Sequence, residues 1–213
     1  MSFDRLAPLY PGMEYILAGS LMQRCRTLHL TECRTQQRAL LVGEGTGRFL
    51  ANLLKINPTI EITCVEQSQN MIDQIRARLA RQSLDQSRVH FEITDFASWP
   101  IPATPFDLIA THFFLDCFSA DILPEITAKL SVAAAPGAIW LLSDFQTPAR
   151  GWQRRRAALI IAALYHFFRW TTAISAQELI PPDPWIQQSG FQLERRQFLS
   201  CGLLHTDVWK KVR

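Results

Sequence analysis

A glycine-rich turn directly after an apolar run is the feature that most constrains this fold. Residues 39–42 are apolar, and glycines follow at the alternate positions Gly43, Gly45 and Gly47. Glycine lets a backbone turn tightly because it has no Cβ, and a helix that opens at Thr46 would direct its free N–H groups at the turn. The stretch predicts a strand, a turn and a helix around a nucleotide-type ligand, although a plain tight turn can contain the same three glycines.

Short apolar runs alternate with amphipathic runs after this turn. Apolar strands separated by helices are typical of a parallel sheet that is covered on both faces. The predicted strands are 40–43, 60–66, 89–94, 106–111 and 138–142, and the predicted helices are 13–29, 46–56, 68–81, 122–134 and 150–170, with shorter turns at 175–180 and 185–189. Two strand-like runs at 191–199 and 203–212 predict a terminal antiparallel pair.

The composition fits one α/β domain of 213 residues, of which 48% are apolar. A formal net charge of +3 gives no general argument for a nucleic-acid partner. The five cysteines are scattered and form no Cys-x-x-Cys pair, so we expect no metal site, no disulfide framework and a cytoplasmic location. We see no signal-peptide pattern and no apolar run of the ~20 residues that a spanning helix needs.

Acidic residues stand where the second and third predicted strands end. Glu66 lies about 20 residues after the glycine turn, where a carboxylate can accept hydrogen bonds from both ribose hydroxyls. Asp95 is placed to accept from an exocyclic amine such as that of adenine. The structural alternatives are a solvated carboxylate for Glu66 and a helix N-cap for Asp95.

The glycine turn differs from two common nucleotide-binding loops. Arg48 stands where a dinucleotide-binding loop has its third glycine, which weakens a dinucleotide interpretation. No Gly-Lys-Ser/Thr follows, so the turn is not a P-loop.

Successive motifs in this order resemble those of the class I S-adenosylmethionine-dependent methyltransferases. They are Leu-Val-Gly-Glu-Gly-Thr-Gly over 41–47, Val-Glu-Gln-Ser over 65–68 with Met71 after it, Asp95-Phe96, and Phe-Asp-Leu-Ile over 106–109. The segment from Phe3 to Tyr10 is also similar to the lid of the small-molecule branch, which includes the quinone C-methyltransferases. This chain departs from the family pattern at Leu41, where the family often has an acid.

The resemblance implies a Rossmann-like, doubly wound α/β fold with a mostly parallel seven-stranded sheet and a terminal antiparallel hairpin. The implied single domain, 1–213, consists of an N-terminal helical lid (1–36), a cofactor-binding core (37–145), a helical segment that covers the acceptor (146–190) and a terminal strand pair (191–213). The implied cofactor is S-adenosylmethionine, with S-adenosylhomocysteine as the product. Its implied contacts are Gly43, Glu44, Gly45, Gly47, Glu66, Gln67, Met71, Asp95, Phe96 and Thr111.

Candidate residues for the methyl acceptor follow the fourth strand. His112 could take a proton from a phenol or hydroxyl while Asp116 orients it, although His112 could equally be a structural histidine and Asp116 a cap. The many aromatic residues between 150 and 170 suit an apolar or aromatic acceptor, and they are also typical of core beneath a long helix. The predicted acceptor contacts are Tyr10, Phe113, Asp144, Trp152, Tyr165 and Arg169.

A basic run at the start of the last long helix predicts either a solvated helix end or a peripheral contact with an anionic membrane surface. The run consists of Arg150, Arg154, Arg155 and Arg156.

For the whole chain, the sequence favours S-adenosylmethionine-dependent methylation of a small apolar or aromatic acceptor. O-methylation is slightly ahead of C-methylation, and no nucleic-acid partner is expected. The first alternative is a cofactor-binding module without catalysis, which is favoured by the absence of the family acid at Leu41. The second is a nicotinamide-dependent oxidoreductase.

Overall fold

The structure, a computed structural model, describes residues 19–148, 151–171 and 179–212. The helices are α1 (Gly19–Thr27), α2 (Arg48–Ile56), α3 (Gln69–Arg81), α4 (Leu123–Ala133), α5 (Gly151–Thr171) and α6 (Asp183–Gln188). The strands are β1 (Arg38–Val42), β2 (Glu61–Val65), β3 (Val89–Glu92), β4 (Phe106–His112), β5 (Ala134–Phe145), β6 (Phe191–Leu199) and β7 (Leu204–Lys211). Short 3₁₀ turns occur at Leu30–Cys33, Leu115–Cys117 and Ser200–Gly202.

The strands form a seven-stranded sheet in the order β3-β2-β1-β4-β5-β7-β6. The pairs from β3 to β5 are parallel, whereas β7 is antiparallel to both β5 and β6. This arrangement confirms the predicted Rossmann-like fold and its terminal hairpin. The strand order reverses between β1 and β4, and ligands of open α/β sheets bind at the carboxyl ends of the strands beside such a reversal.

Apolar side chains cover both faces of the sheet. Leu41 of β1 belongs to the cluster beneath α2 and α3, and Leu40 belongs to the cluster beneath α4, which includes the buried Trp140 and Trp209. Because β1 contributes to both clusters, its side chains are apolar at successive positions, as in other central parallel strands. A smaller third cluster joins α1 and α5 to the start of β7.

Two boundaries differ from the sequence prediction for local reasons. The helix α2 begins at Arg48 and not at Thr46, because Gly47 has a left-handed backbone with φ of 74° and so precedes the helix. The fifth strand was expected to follow Pro136-Gly137, but β5 starts at Ala134 and includes them. They fit there because the β4–β5 ladder is irregular at this point, so the missing N–H of proline interrupts no regular pairing.

Parts of three predicted helical segments lie outside the described residues, namely 13–18, Arg150 and 175–178. The remainder of the first is α1, which ends at Thr27. Within the described part of the chain, no helix combines the length and apolar character needed to cross a membrane.

Candidate active site

The turn after β1 has an opening at its middle glycine. Gly43, Gly45 and Gly47 all have positive φ, between 63° and 74°. A Cβ on Gly43 would lie 2.6 Å from the ring of Phe114, and one on Gly47 would lie 2.9 Å from Ile75. At Gly45, by contrast, no described atom lies within 4 Å of that position. The outer two glycines therefore allow close packing, and the middle one leaves room for a ligand at the switch point of the sheet.

Glu66 follows β2 and is bound to this turn. Its Oε2 accepts from the N–H of Gly45 at 3.2 Å, and its Oε1 accepts from the N–H of Ser68 at 3.1 Å. Both donors are backbone N–H groups, so the Glu66 carboxylate is held beside the middle glycine of the turn. Ser68 also caps α3 as predicted, with its hydroxyl accepting from the N–H of Met71.

Glu44 caps helix α2 from within the glycine turn. Its Oε1 accepts from the N–H groups of Phe49 and Leu50, each at 2.9 Å. The carboxyl is buried, and this burial raises its pKa to about 7. Leu41, the position of the family acid, is fully buried in the apolar cluster beneath α2. Glu44 therefore places an acidic group beside the turn, but as part of the helix cap.

The remaining predicted cofactor residues have different environments. Asp95 is exposed, and its Oδ1 accepts from the N–H of Ala97 at 3.0 Å, which caps a short turn. The Phe96 ring is buried in the apolar cluster beneath α4. Gln67 is exposed and Met71 is buried. Asp95 therefore stabilises a turn and caps no helix, and its contact with a ligand stays a prediction.

Thr111 has its side chain engaged within the sheet. Its hydroxyl accepts from Trp140 Nε1 at 2.8 Å, and the residue is fully buried. Any contact of Thr111 with a ligand therefore involves its backbone.

His112, the last residue of β4, lies in a buried and partly cationic environment. Its ring packs edge-on against Phe49 with the centroids 4.6 Å apart. Burial, with the nearby Arg26 and His29 charges, lowers the pKa of His112 to about 3. Neither ring nitrogen has a hydrogen-bonding partner among the described residues. The predicted orientation of His112 by Asp116 is therefore wrong for this structure.

Asp116 is instead associated with Asp144. Asp116 lies in the turn after β4, whereas Asp144 was expected beyond the fifth strand but is inside β5 and buried. Burial raises the pKa of Asp144 well above its usual range, and the neighbouring Asp116 raises it further. Burial also raises the pKa of Asp116 to about 6. Apart from Asp116, no described group donates to the Asp144 oxygens, so the pair favours a state that shares one proton.

A polar group on β7, which the sequence prediction missed, lies next to this acid pair. The register places His205 directly opposite Asp144. His205 Nδ1 lies 3.1 Å from Asp207 Oδ2, and Asp207 accepts two bonds from Arg196, at 2.8 and 2.6 Å. These bonds outweigh burial, and the pKa of Asp207 is lowered. The signal in the sequence was a His-x-Asp alternation directly before the apolar pair Val208-Trp209.

The predicted acceptor contacts are not all in one place. Phe113 is half-buried, with its ring centroid 4.9 Å from the guanidinium carbon of Arg26 and 5.3 Å from the centroid of Phe145. Trp152 is 64% exposed on α5. Tyr10 lies outside the described residues, and so do the side chains of Tyr165 and Arg169. No cluster of three or more possible metal ligands occurs within the described ranges.

Comparison with known proteins places the site in a family context. Residues 39–137 match a family model described as a methyltransferase domain. A demethylmenaquinone methyltransferase of Deinococcus radiodurans is 27% identical over 151 residues, which are 70% of this chain and 61% of the relative. The tRNA N(3)-cytidine methyltransferase METTL2 of Mus musculus is 28% identical over 114 residues, which are 51% of this chain and 28% of the relative. This chain thus spans less than two thirds of the length of either relative.

Solved structures share the fold. An O-methyltransferase family protein from Burkholderia thailandensis has a TM-score of 0.71 at 15% identity, over 98% of this chain and 60% of that one. The N-methyltransferase NodS from Bradyrhizobium japonicum, in complex with S-adenosyl-L-homocysteine, has a TM-score of 0.64 at 15% identity, over 90% of this chain and 88% of that one.

Proposed function

We propose that this chain is an S-adenosylmethionine-dependent methyltransferase that methylates a small acceptor, since residues 39–137 match a methyltransferase-domain model. The observation that carries the proposal is the open position at Gly45 beside the Glu66 carboxylate, at the point where the strand order reverses. A ligand at Gly45 meets a backbone turn without a Cβ and a carboxylate, a group that accepts hydrogen bonds from hydroxyls, which suits a nucleoside with free ribose hydroxyls.

The residues around the turn fit S-adenosylmethionine, which supplies an electrophilic methyl group on its sulfonium. Glu66 accepts hydrogen bonds from the ribose hydroxyls, and Asp95 accepts from the adenine amine. Gly45 lets the backbone approach the ligand, and Thr111 contributes through its backbone. The further proposed contacts are Gly43, Glu44, Gly47, Gln67, Met71 and Phe96, of which Gly43 and Gly47 act by allowing close packing.

Asp116 is the residue that we assign to proton removal from the acceptor. Its pKa is raised to about 6 by burial, so near neutral pH it is mostly ionised and still a competent base. The raised pKa of Asp144 keeps that neighbour protonated. His112, with a pKa lowered to about 3, is a weak base and contributes as a neutral imidazole. A base at this position suits an acceptor that loses a proton on methylation, as a hydroxyl does, and we propose O-methylation slightly ahead of C-methylation.

The acceptor is proposed to be small and apolar or aromatic. Phe113 and Phe145 supply aromatic surface at the carboxyl ends of β4 and β5. The likeness to a demethylmenaquinone methyltransferase supports a small molecule. The likeness to a tRNA methyltransferase covers only 28% of that relative, and we propose no nucleic-acid acceptor.

Thermal unfolding with added ligand tests the cofactor assignment. S-adenosylhomocysteine at a hundredfold excess over its Kd should stabilise the protein by about 2.7 kcal/mol, or roughly 5–10 °C in Tm, whereas NAD and buffer should not. No shift with S-adenosylhomocysteine, or a shift with NAD alone, would contradict the assignment.

Methyl transfer itself needs a second measurement. The absence of the family acid at Leu41 favours a module that binds the cofactor without transferring its methyl group. Incubation with methyl-labelled S-adenosylmethionine and a small-molecule cell extract should label a compound that gains one methyl group. Label that stays in the donor, in a protein that S-adenosylhomocysteine stabilises, would favour the binding module.

A further inference from the structure

Helix α5 is attached to the rest of the molecule along a narrow face. Ala157 and Ile161, one helical turn apart, are 2% and 8% exposed. They pack in the cluster that contains Leu203 and Leu204 at the start of β7. Arg156 adds two hydrogen bonds to Ser200, at 3.3 and 3.4 Å. The helix is therefore held in one orientation against the β6–β7 turn.

The opposite side of α5 exposes large apolar side chains. Trp152 is 64% exposed and Leu159 is 74% exposed. They are seven residues apart, so they lie on the same side of the helix, roughly opposite Ile161. Arg155 and Arg156 lie three and four residues after Trp152 and flank this apolar strip. We call Trp152, Arg155 and Leu159 the outer face of α5.

Charge and neighbouring surface extend this pattern. Arg154 completes a run of three arginines, and the sequence of α5 contains no aspartate or glutamate. Phe198, at the end of β6, is 59% exposed and stands two residues before Ser200, the partner of Arg156. Exposed aromatic and aliphatic side chains set among unopposed arginines are the chemistry of a helix that lies in the interface of an anionic bilayer.

We propose that the outer face of α5 docks on an anionic lipid bilayer. Trp152 and Leu159 enter the boundary between headgroups and acyl chains, and Arg155 contacts lipid phosphates. The bound helix lies parallel to the membrane surface, since Ala157 and Ile161 keep its other side on the protein. This docking is independent of methyl transfer, and its test needs neither the cofactor nor the acceptor.

Vesicle co-sedimentation of the full chain tests the proposal. We expect the protein to pellet with vesicles of phosphatidylcholine mixed with phosphatidylglycerol, to remain in solution with phosphatidylcholine alone, and to be released as salt is raised. Arg155→Gln should lower the vesicle partition coefficient about fivefold. Trp152→Ala should lower it roughly tenfold while leaving the preference for anionic lipid.

Matched variants separate this surface from general effects of charge and apolarity. Arg81→Gln removes the same charge from an exposed position outside α5, and Val132→Ala truncates an apolar side chain that is 70% exposed on α4. Both should bind vesicles as the parent does. Equal losses in the matched variants, equal binding to neutral and anionic vesicles, or binding to transfer RNA without binding to vesicles would each overturn the proposal. Circular dichroism confirms that every variant is folded.

Discussion

The carboxyl edge of the parallel strands has two parts, a cofactor end beside β1 and β2 and an acceptor end beside β4 and β5. Their buried polar groups are hydrogen-bonded to different extents. Beside β1 and β2, Glu44 and Glu66 accept hydrogen bonds from backbone N–H groups. Beside β4 and β5, the His112 nitrogens have no hydrogen-bonding partner among the described residues, and the Asp144 carboxyl lies beside a second carboxyl, that of Asp116. The cofactor end is therefore organised before any ligand binds, whereas the acceptor end retains unused hydrogen-bonding capacity.

Such unused capacity costs free energy, because a buried polar group without a partner loses its hydration. Natural proteins retain such groups where a ligand or a reaction uses them. The acceptor end tolerates the cost because Asp207, two residues from His205, is well bonded. It accepts from Arg196 twice and from Trp209 once, and it is fully buried.

The largest expected effect comes from removing that well-bonded acid. Asp207→Asn should lower the free energy of unfolding by about 3–5 kcal/mol, because Arg196 then loses its buried partner. Asp183→Asn is the matched control, since Asp183 contacts the same arginine at 2.8 Å from a more exposed position. Urea unfolding at neutral pH measures both. Equal losses in the two variants would mean that the acceptor end does not depend on this buried pair.

At the cofactor end, Glu66 is expected to have the next largest effect. Glu66→Ala should raise the Kd of S-adenosylhomocysteine about 10- to 150-fold, equivalent to about 1.5–3 kcal/mol for lost hydrogen bonds to a charged group. Glu66→Gln keeps one acceptor oxygen and should lose less. Glu92→Gln, an exposed acid at the end of β3, is the matched control. Unchanged affinity by calorimetry in Glu66→Ala would remove Glu66 from the ligand site.

Much of the cofactor end could be predicted from the sequence because its contacts are local. Glu44 bonds to residues five and six positions later, and Ser68 caps its own helix. The alternation of apolar strands with amphipathic helices predicted the parallel part of the sheet correctly, and the two strand-like runs at the end of the sequence predicted its antiparallel hairpin. The role of Gly45 as the open glycine, with Gly43 packed against Phe114, required the tertiary structure.

The acceptor end could not be predicted in the same way, because its contacts join distant parts of the chain. Asp144 meets His205 only through the β5–β7 register, and an apolar run ending at Leu142 gives no sign that the strand continues to Phe145. The proximity of Asp116 and His112 in sequence suggested a pair, but Asp116 associates with Asp144 instead. Short sequence separation is therefore a poor guide where side chains from neighbouring strands alternate between faces.

A smaller effect, visible in the pH dependence of stability, separates the two ends most directly. The pKa of His112 is lowered to about 3 in the folded protein, against an ordinary value of 6.5. Between these values the unfolded chain binds more protons, so this residue makes stability fall as pH decreases from about 6.5 towards 3, by up to about 1.4 kcal/mol per pH unit. Burial raises the pKa of Glu44 to about 7, which gives the opposite slope between about pH 4.5 and 7.

His112→Gln should remove the first slope and retain the second. The free energy of unfolding, measured by urea at several pH values between 4 and 7, should therefore fall less steeply on acidification in His112→Gln than in the parent. His90→Gln, which replaces an exposed histidine on β3, is the matched control and should change the profile less because that ring is not buried. Because Glu44 is present in all three proteins, the difference between profiles isolates the histidine. Parallel profiles for the parent and His112→Gln would show that the imidazole has a partner in solution, and the contrast between the two ends would then rest on Asp144 alone.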